Sequence, residues 1–224
     1  MTNHSTSDSV VLQALATERL LPVVVINDAA AAAPLRDAVV AGGLSTLEIT
    51  LRTPSAIAAI RRLSEAGDIS VGAGTVLTRE QAKIAIGEGA RFVVSPGLSP
   101  DVVAHCHDVG VPVFPGVATP TEILSALSLG CTVVKFFPAD VNGGLPAIKA
   151  LANPFPDVRF VPTGGVSADN LAAYLAHPAV LAVGGSWVVA QPLIASHDWA
   201  TITSRVAEAV RIVEGVAAGD GAHA

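Results

Sequence analysis

Three lysines occur in the chain, and one of them sits where a lysine is costly. Lys135 interrupts the β-forming run Val133-Val134-Lys135-Phe136-Phe137-Pro138. An ammonium in such a run must be paired, reach water or give up its proton. A neutral amine attacks carbonyl carbon. Lys83 and Lys149 fall in polar-faced, helix-like segments. Lys135 is therefore either a strand-end lysine with its head in water or a Schiff-base nucleophile.

A second stretch supplies partners for such a nucleophile. In Leu47-Glu48-Ile49-Thr50-Leu51-Arg52 the period of two places Leu47, Ile49 and Leu51 on one face and Glu48, Thr50 and Arg52 on the other. The polar face is either an internal ion pair or a general base beside an anion clamp, since the guanidinium fork fits a carboxylate. Gly72-Ala73-Gly74 leads to Thr75. Alternation through Val71 and Ala73 points Thr75 toward a shared mouth; capping of the following loop is its other reading. Phe137 shares the parity of Lys135 and would exclude water beside it. Pro96, in Ser95-Pro96-Gly97, and Pro115-Gly116 make rigid turns that would wall a pocket. Thr163-Gly164-Gly165 and Gly184-Gly185-Ser186 are glycine-rich and lead toward helix starts, a pattern that serves either tight turns or a phosphate. Together these groups fit imine chemistry on a 2-oxo acid with a phosphate-bearing tail.

They meet only if the strands carrying them end at one side of one sheet. Eight short apolar runs, each followed by helix signals, recur at about 20–25 residues: 22–27, 44–51, 69–74, 91–95, 111–115, 131–137, 158–162 and 180–183. Thr53-Pro54, Thr78-Arg79-Glu80-Gln81, Thr119-Pro120-Thr121-Glu122 and Ser167-Ala168-Asp169-Asn170 read as helix starts. Strand–helix alternation means parallel strands with right-handed crossovers, and eight units in one domain is the (β/α)8 TIM barrel, whose chemistry sits at the C-terminal strand ends. An open doubly wound sheet would want a phosphate fingerprint after its first strand, and Ile26-Asn27-Asp28-Ala29 has none. An extra helix over 9–20 precedes the barrel. The domain is expected over 9–214, between mobile tails at 1–8 and 215–224.

Bulk composition agrees. Of 224 residues, 51% are hydrophobic and 14% charged, enough for a large core; aromatics are 4%, so that core is aliphatic. A net charge of −6 argues against nucleic acid and an anionic membrane surface. No apolar run is long enough to span a bilayer, and the polar start does not read as a signal peptide. Cys106 and Cys131 suit a reducing cytosol as small buried hydrophobes, so a cytoplasmic location is expected. His105 and His107 flank Cys106, but positions two apart on a helix face apart, so no metal site is expected.

The motifs Leu47-Glu48-Ile49-Thr50-Leu51-Arg52-Thr53, Val71-Gly72-Ala73-Gly74-Thr75-Val76, Ser95-Pro96-Gly97, Lys135-Phe136-Phe137-Pro138-Ala139, Pro162-Thr163-Gly164-Gly165 and Gly184-Gly185-Ser186-Trp187, in this order, resemble the bacterial 2-keto-3-deoxy-6-phosphogluconate (KDPG) aldolases from about Leu21 to Gln191. The resemblance implies a class I aldolase, free of metal and cofactor, that forms an iminium with pyruvate and releases glyceraldehyde 3-phosphate. It implies Lys135 as the Schiff-base residue, Glu48 as acid and base, Arg52 and Thr75 on the pyruvate carboxylate, and Gly164, Gly165, Gly185 and Ser186 on phosphate. Pro96, Phe137 and Thr163 complete the expected substrate contacts, and a homotrimer is implied. Asn27 departs from the family, where a basic residue is common near the far end of the substrate. Cleavage of 4-hydroxy-2-oxoglutarate (KHG) or of the galactonate isomer stands beside this reading, as does a non-catalytic phosphosugar-binding barrel.

Overall fold

The computed structural model describes residues 6–221, an α/β fold built on a curled sheet of parallel strands. Its strands are β1 (Leu20–Val24), β2 (Thr46–Thr50), β3 (Ser70–Gly74), β4 (Val93–Val94), β5 (Val113–Phe114), β6 (Gly116–Val117), β7 (Val133–Phe136), β8 (Arg159–Pro162) and β9 (Val183–Gly185). Six form one sheet in the order β5-β4-β3-β2-β1-β9 and three form another in the order β6-β7-β8. Only Pro115 separates β5 from β6, which together make one pass of the chain. Isolated parallel bridges Phe160↔Val180 and Thr163↔Gly184 link the β8 side to the β9 side.

The helices follow from capping chemistry. Thr78 accepts the Gln81 N–H ahead of Arg79–Gly87. Thr119 and Glu122 close a capping box on Pro120–Ser128, as Ser167 and Asn170 do on Ala168–Leu175. The start expected at Thr53-Pro54 lies elsewhere, because the helix begins at Ala56 with Ser55 as its cap residue. The freed hydroxyls tie down the loop after β1: Thr53 donates to the Ile26 carbonyl, and Ser55 donates to that of Asn27 at 2.7 Å.

Other boundaries also differ. β1 starts at Leu20, and a short helix, Gln191–Ala195, follows β9. The last strand contains Gly184 and Gly185, read from the sequence as a turn. Their backbones pair with Leu21 and Pro22 of β1, so tertiary pairing overrides glycine's poor strand propensity. Residues 6–8, assigned to a tail, begin the helix Thr6–Glu18 (α1), and the helix Trp199–Gly221 runs past Gly215. One glycine in an exposed helix interior costs only about 1 kcal/mol. The expected tail at 1–5 and 222–224 lies outside the described residues. No helix among the described residues is long and apolar enough to cross a membrane.

Two apolar layers result. The larger lies between the sheet and its helices and takes Val24, Leu47, Ile49, Val71, Ala73 and Val93. The smaller fills the concave face with Leu21, Phe92, Val94, Phe114 and Ala182, against which Val11 and Leu15 of α1 pack.

Candidate active site

Above that inner layer, at the C-terminal ends of the strands, lies a cavity of about 420 Å³. Lys135 on β7 and Phe137 beyond it line it, with the Lys135 Nζ 5.0 Å from the Phe137 ring centre. The Lys135 Nζ lies 3.6 Å from Oε1 of Glu48, and the two side chains are 7% and 1% exposed. Glu48 is thus paired with Lys135 rather than Arg52. Its Oε1, just beyond hydrogen-bond range of the amine, has no hydrogen-bond partner among the described residues. Burial raises the pKa of the Glu48 carboxyl, and the nearby Lys135 ammonium pulls the other way. Arg52, exposed at the cavity rim, forms no ion pair and donates no side-chain hydrogen bond among the described residues. Thr50 below it lines the cavity while its hydroxyl donates to the Val24 carbonyl at 2.8 Å.

Thr75 lines the cavity, but not by the alternation expected of it. Glu48 and Thr50 are paired with Gly72 and Gly74, so those glycines share the concave face. Val71 and Ala73 point to the helices. Strict alternation would send Thr75 after them. Instead the Ala73 N–H donates to the Phe92 carbonyl and the Val76 N–H to that of Val94, so three steps on β3 match two on β4. The extra residue is a bulge, and Thr75 within it has φ +56°. A β-branched residue in that region is strained; the bulge turns its side chain inward.

The opposite wall is made from Thr163, Gly164, Gly165, Val166, Gly184 and Ser186. Gly164 and Gly165 have φ of +101° and +68°. The N–H groups of Gly165 and Val166 donate to no acceptor among the described residues, while Ser167 opens the next helix just behind them. This is the usual geometry of an anion cradle. Pro96 closes the side between these walls. Gly185, expected in the cradle, is not in the cavity lining: a Cβ there would stand 2.5 Å from Cε3 of Trp187. Gly184 takes its place, and the parity of Ser186 could have found it. Val23 and Val25, also lining, were readable from alternation along strand one; Val166 carried no signal.

Asn27 is exposed and lies beside a separate hollow of about 110 Å³ with Asp28, Gln191 and His197. His105 is buried and His107 exposed on one helix. Burial pushes the Cys106 thiol up to about 12 and that of Cys131 up to about 11, far from thiolate chemistry.

The fold and site define a parallel α/β protein with a buried lysine–carboxylate pair facing a cavity at its strand ends. The model of the KDPG and KHG aldolase family matches residues 11–205, and the chain belongs to that family. It is 50% identical over 206 residues to a 2-dehydro-3-deoxy-phosphogluconate aldolase of Treponema pallidum, covering 91% of this chain and 97% of the relative. It is similar in structure to the KDPG aldolase of Legionella pneumophila, solved with pyruvate captured at low pH as a covalent carbinolamine, with TM-score 0.85, 41% identity, and 88% and 96% of the two chains covered. It is also similar to the Zymomonas mobilis KDPG aldolase solved with 3-phosphoglycerate, with TM-score 0.84, 42% identity, and 93% and 96% covered.

Proposed function

We propose that this chain is a class I aldolase that cleaves KDPG to pyruvate and glyceraldehyde 3-phosphate. The observation that carries the reading is the buried pair of Lys135 and Glu48, 3.6 Å apart, on a cavity also lined by Arg52 and by the glycine-rich wall of Gly164, Gly165 and Ser186. Lys135 adds through Nζ to the C2 carbonyl and, with loss of water, forms an iminium. Glu48 takes the proton of the C4 hydroxyl, the C3–C4 bond breaks, and its electrons pass to the iminium, leaving an enamine and the aldehyde. Glu48 returns a proton to C3, and water releases pyruvate. A carboxyl whose pKa burial has raised suits both directions of that transfer. Arg52 and Thr75 hold the pyruvate carboxylate; Thr163 and Pro96 flank the imine; Gly164, Gly165 and Ser186 receive the phosphate; Phe137 shields the amine.

The same reading takes residues 9–214 as one (β/α)8 barrel, supported by the continuous pass through Pro115 and the bridges from β8 to β9. Helix α1, carrying Val11 and Leu15, is its floor. A cytoplasmic homotrimer is the expected assembly. The family description names KHG as well as KDPG, so turnover of the two substrates should be compared.

Borohydride reduction with pyruvate, followed by peptide mass analysis, tests the proposal. A pyruvate-sized adduct on Lys135 is expected, and Lys135→Ala should lose both adduct and turnover while staying folded. A folded wild-type protein without the adduct would overturn the reading.

A further inference from the structure

Gly72 and Gly74 both face the concave side of β3, and neither has a positive φ. Their lack of a side chain therefore answers to space. A Cβ at Gly72 would enter the ring of Phe92. A Cβ at Gly74 would collide with Oε1 of Glu48 and stand 2.5 Å from its Cδ and 2.6 Å from its Cγ. Glu48 is paired in register with Gly72. Its side chain therefore leans one step up the sheet, into the room left by Gly74 and toward Lys135.

We propose that Gly74 is a positioning residue: the empty space at its Cα seats the Glu48 carboxylate and fixes its distance from the Lys135 amine. Phe92 blocks retreat toward Gly72. A methyl group at position 74 pushes the carboxylate out of its seat and away from the 3.6 Å approach to Lys135. The backbone at Gly74 stays in an ordinary conformation, and the nearest atoms in the way, Oε1, Cδ and Cγ of Glu48, all belong to one side chain and none to the backbone, so the fold survives the change. Lys135 itself loses no covalent or backbone support: its N–H bonds to the Pro115 carbonyl at 2.9 Å on the far side of the sheet.

The inference rests on Glu48 being the acid and base of the proposed aldolase. Its test separates imine formation from proton transfer. In Gly74→Ala, borohydride trapping of pyruvate on Lys135 should persist, while exchange of the pyruvate methyl protons with deuterium oxide, followed by NMR, should fall by about 10²-fold, the scale of a misplaced reacting group. Added to Glu48→Gln, the same change should slow exchange no further, because the group it acts through is gone. In thermal melts, Gly74→Ala should cost stability beside Glu48 but little beside Glu48→Ala, where the seat is vacant. Wild-type exchange in Gly74→Ala, a multiplicative loss with Glu48→Gln, or an undiminished melting cost with Glu48→Ala would each overturn the inference and leave the aldolase reading standing. Absence of trapping in the wild-type protein would instead remove the reading itself, and normal exchange in Glu48→Gln would remove the role of Glu48 on which the inference depends.

Discussion

The concave face of the sheet has a lower and an upper half, and the same strands build both. Below, Leu21, Phe92, Phe114 and Ala182 close on Val11 and Leu15 of α1 in an apolar layer. Two residues further along, Val23 follows Leu21, Pro96 follows Val94, Lys135 follows Val133 and Gly184 follows Ala182 into the cavity lining. Since inward residues recur every second position, moving two residues along a strand changes its duty from packing to chemistry. The difference teaches that stability and activity are separable along one strand direction. Substitutions above should act mainly on rates, and substitutions below mainly on stability.

After the complete loss expected of Lys135→Ala, the largest effect above is that of Glu48→Gln, a loss of about 10²–10⁴ in turnover with trapping of pyruvate retained. The pH profile sharpens this. A base must be ionised, so activity falls as pH drops through the pKa of Glu48, which burial holds above the ordinary carboxylate range. The acid limb should therefore lie above that range in the wild type and vanish in Glu48→Gln. An unchanged limb would assign it to another group.

Below, Leu15 of α1 is fully buried. Leu15→Ala should cost about 2–5 kcal/mol, read by urea denaturation, with kcat of the folded protein unchanged. A loss of kcat at constant stability would break the comparison, since it would connect the floor to the chemistry.

How far the sequence spoke for each half follows from periodicity. The inward faces of β2 and β7 are legible because Glu48, Thr50, Arg52 and Lys135 interrupt apolar runs, and Phe137 shares the parity of Lys135. The lower half was less so. Phe92 and Phe114 look like any core residue, and only the paired strands show that they face the inside. The inward face of β3 is not legible from periodicity, because its inward residues are glycines and offer no polarity to count. Gly72 and Gly74 were visible as letters, but their purpose depends on the Phe92 ring and the Glu48 carboxylate arriving from neighbouring strands. The bulge at Thr75 likewise has no local signature; it is a register slip between β3 and β4. Gly184 and Gly185 look like a turn after the last apolar run, yet both lie inside β9, where neighbouring residues face opposite sides of the sheet.

The two glycines of β3 test where the boundary between the halves falls. Gly72→Ala meets an aromatic ring and should cost about 1–3 kcal/mol through overpacking, read as a lower midpoint in urea, with pyruvate trapping and proton exchange intact once folded. If exchange instead falls as in Gly74→Ala, Phe92 also supports the Glu48 carboxylate, and the boundary lies one layer lower than drawn.

Thr75 breaks the rule in a smaller and more instructive way, because it stands in the upper half yet carries a stability cost. A β-branched residue at φ +56° gives up about 1–2 kcal/mol to the left-handed conformation. Glycine would release that strain but costs about 0.5–1 kcal/mol in added freedom of the unfolded chain. Thr75→Gly is thus expected to raise stability by no more than about 1.5 kcal/mol, while removing a hydroxyl and a methyl from the cavity wall should raise KM for the 2-oxo acid more than it lowers kcat. Such a pairing would mean that the bulge holds a strained side chain for the sake of the ligand. A stability gain with KM unchanged would mean that the strain is only a by-product of the register slip, and that the carboxylate of the substrate is held by Arg52 without it.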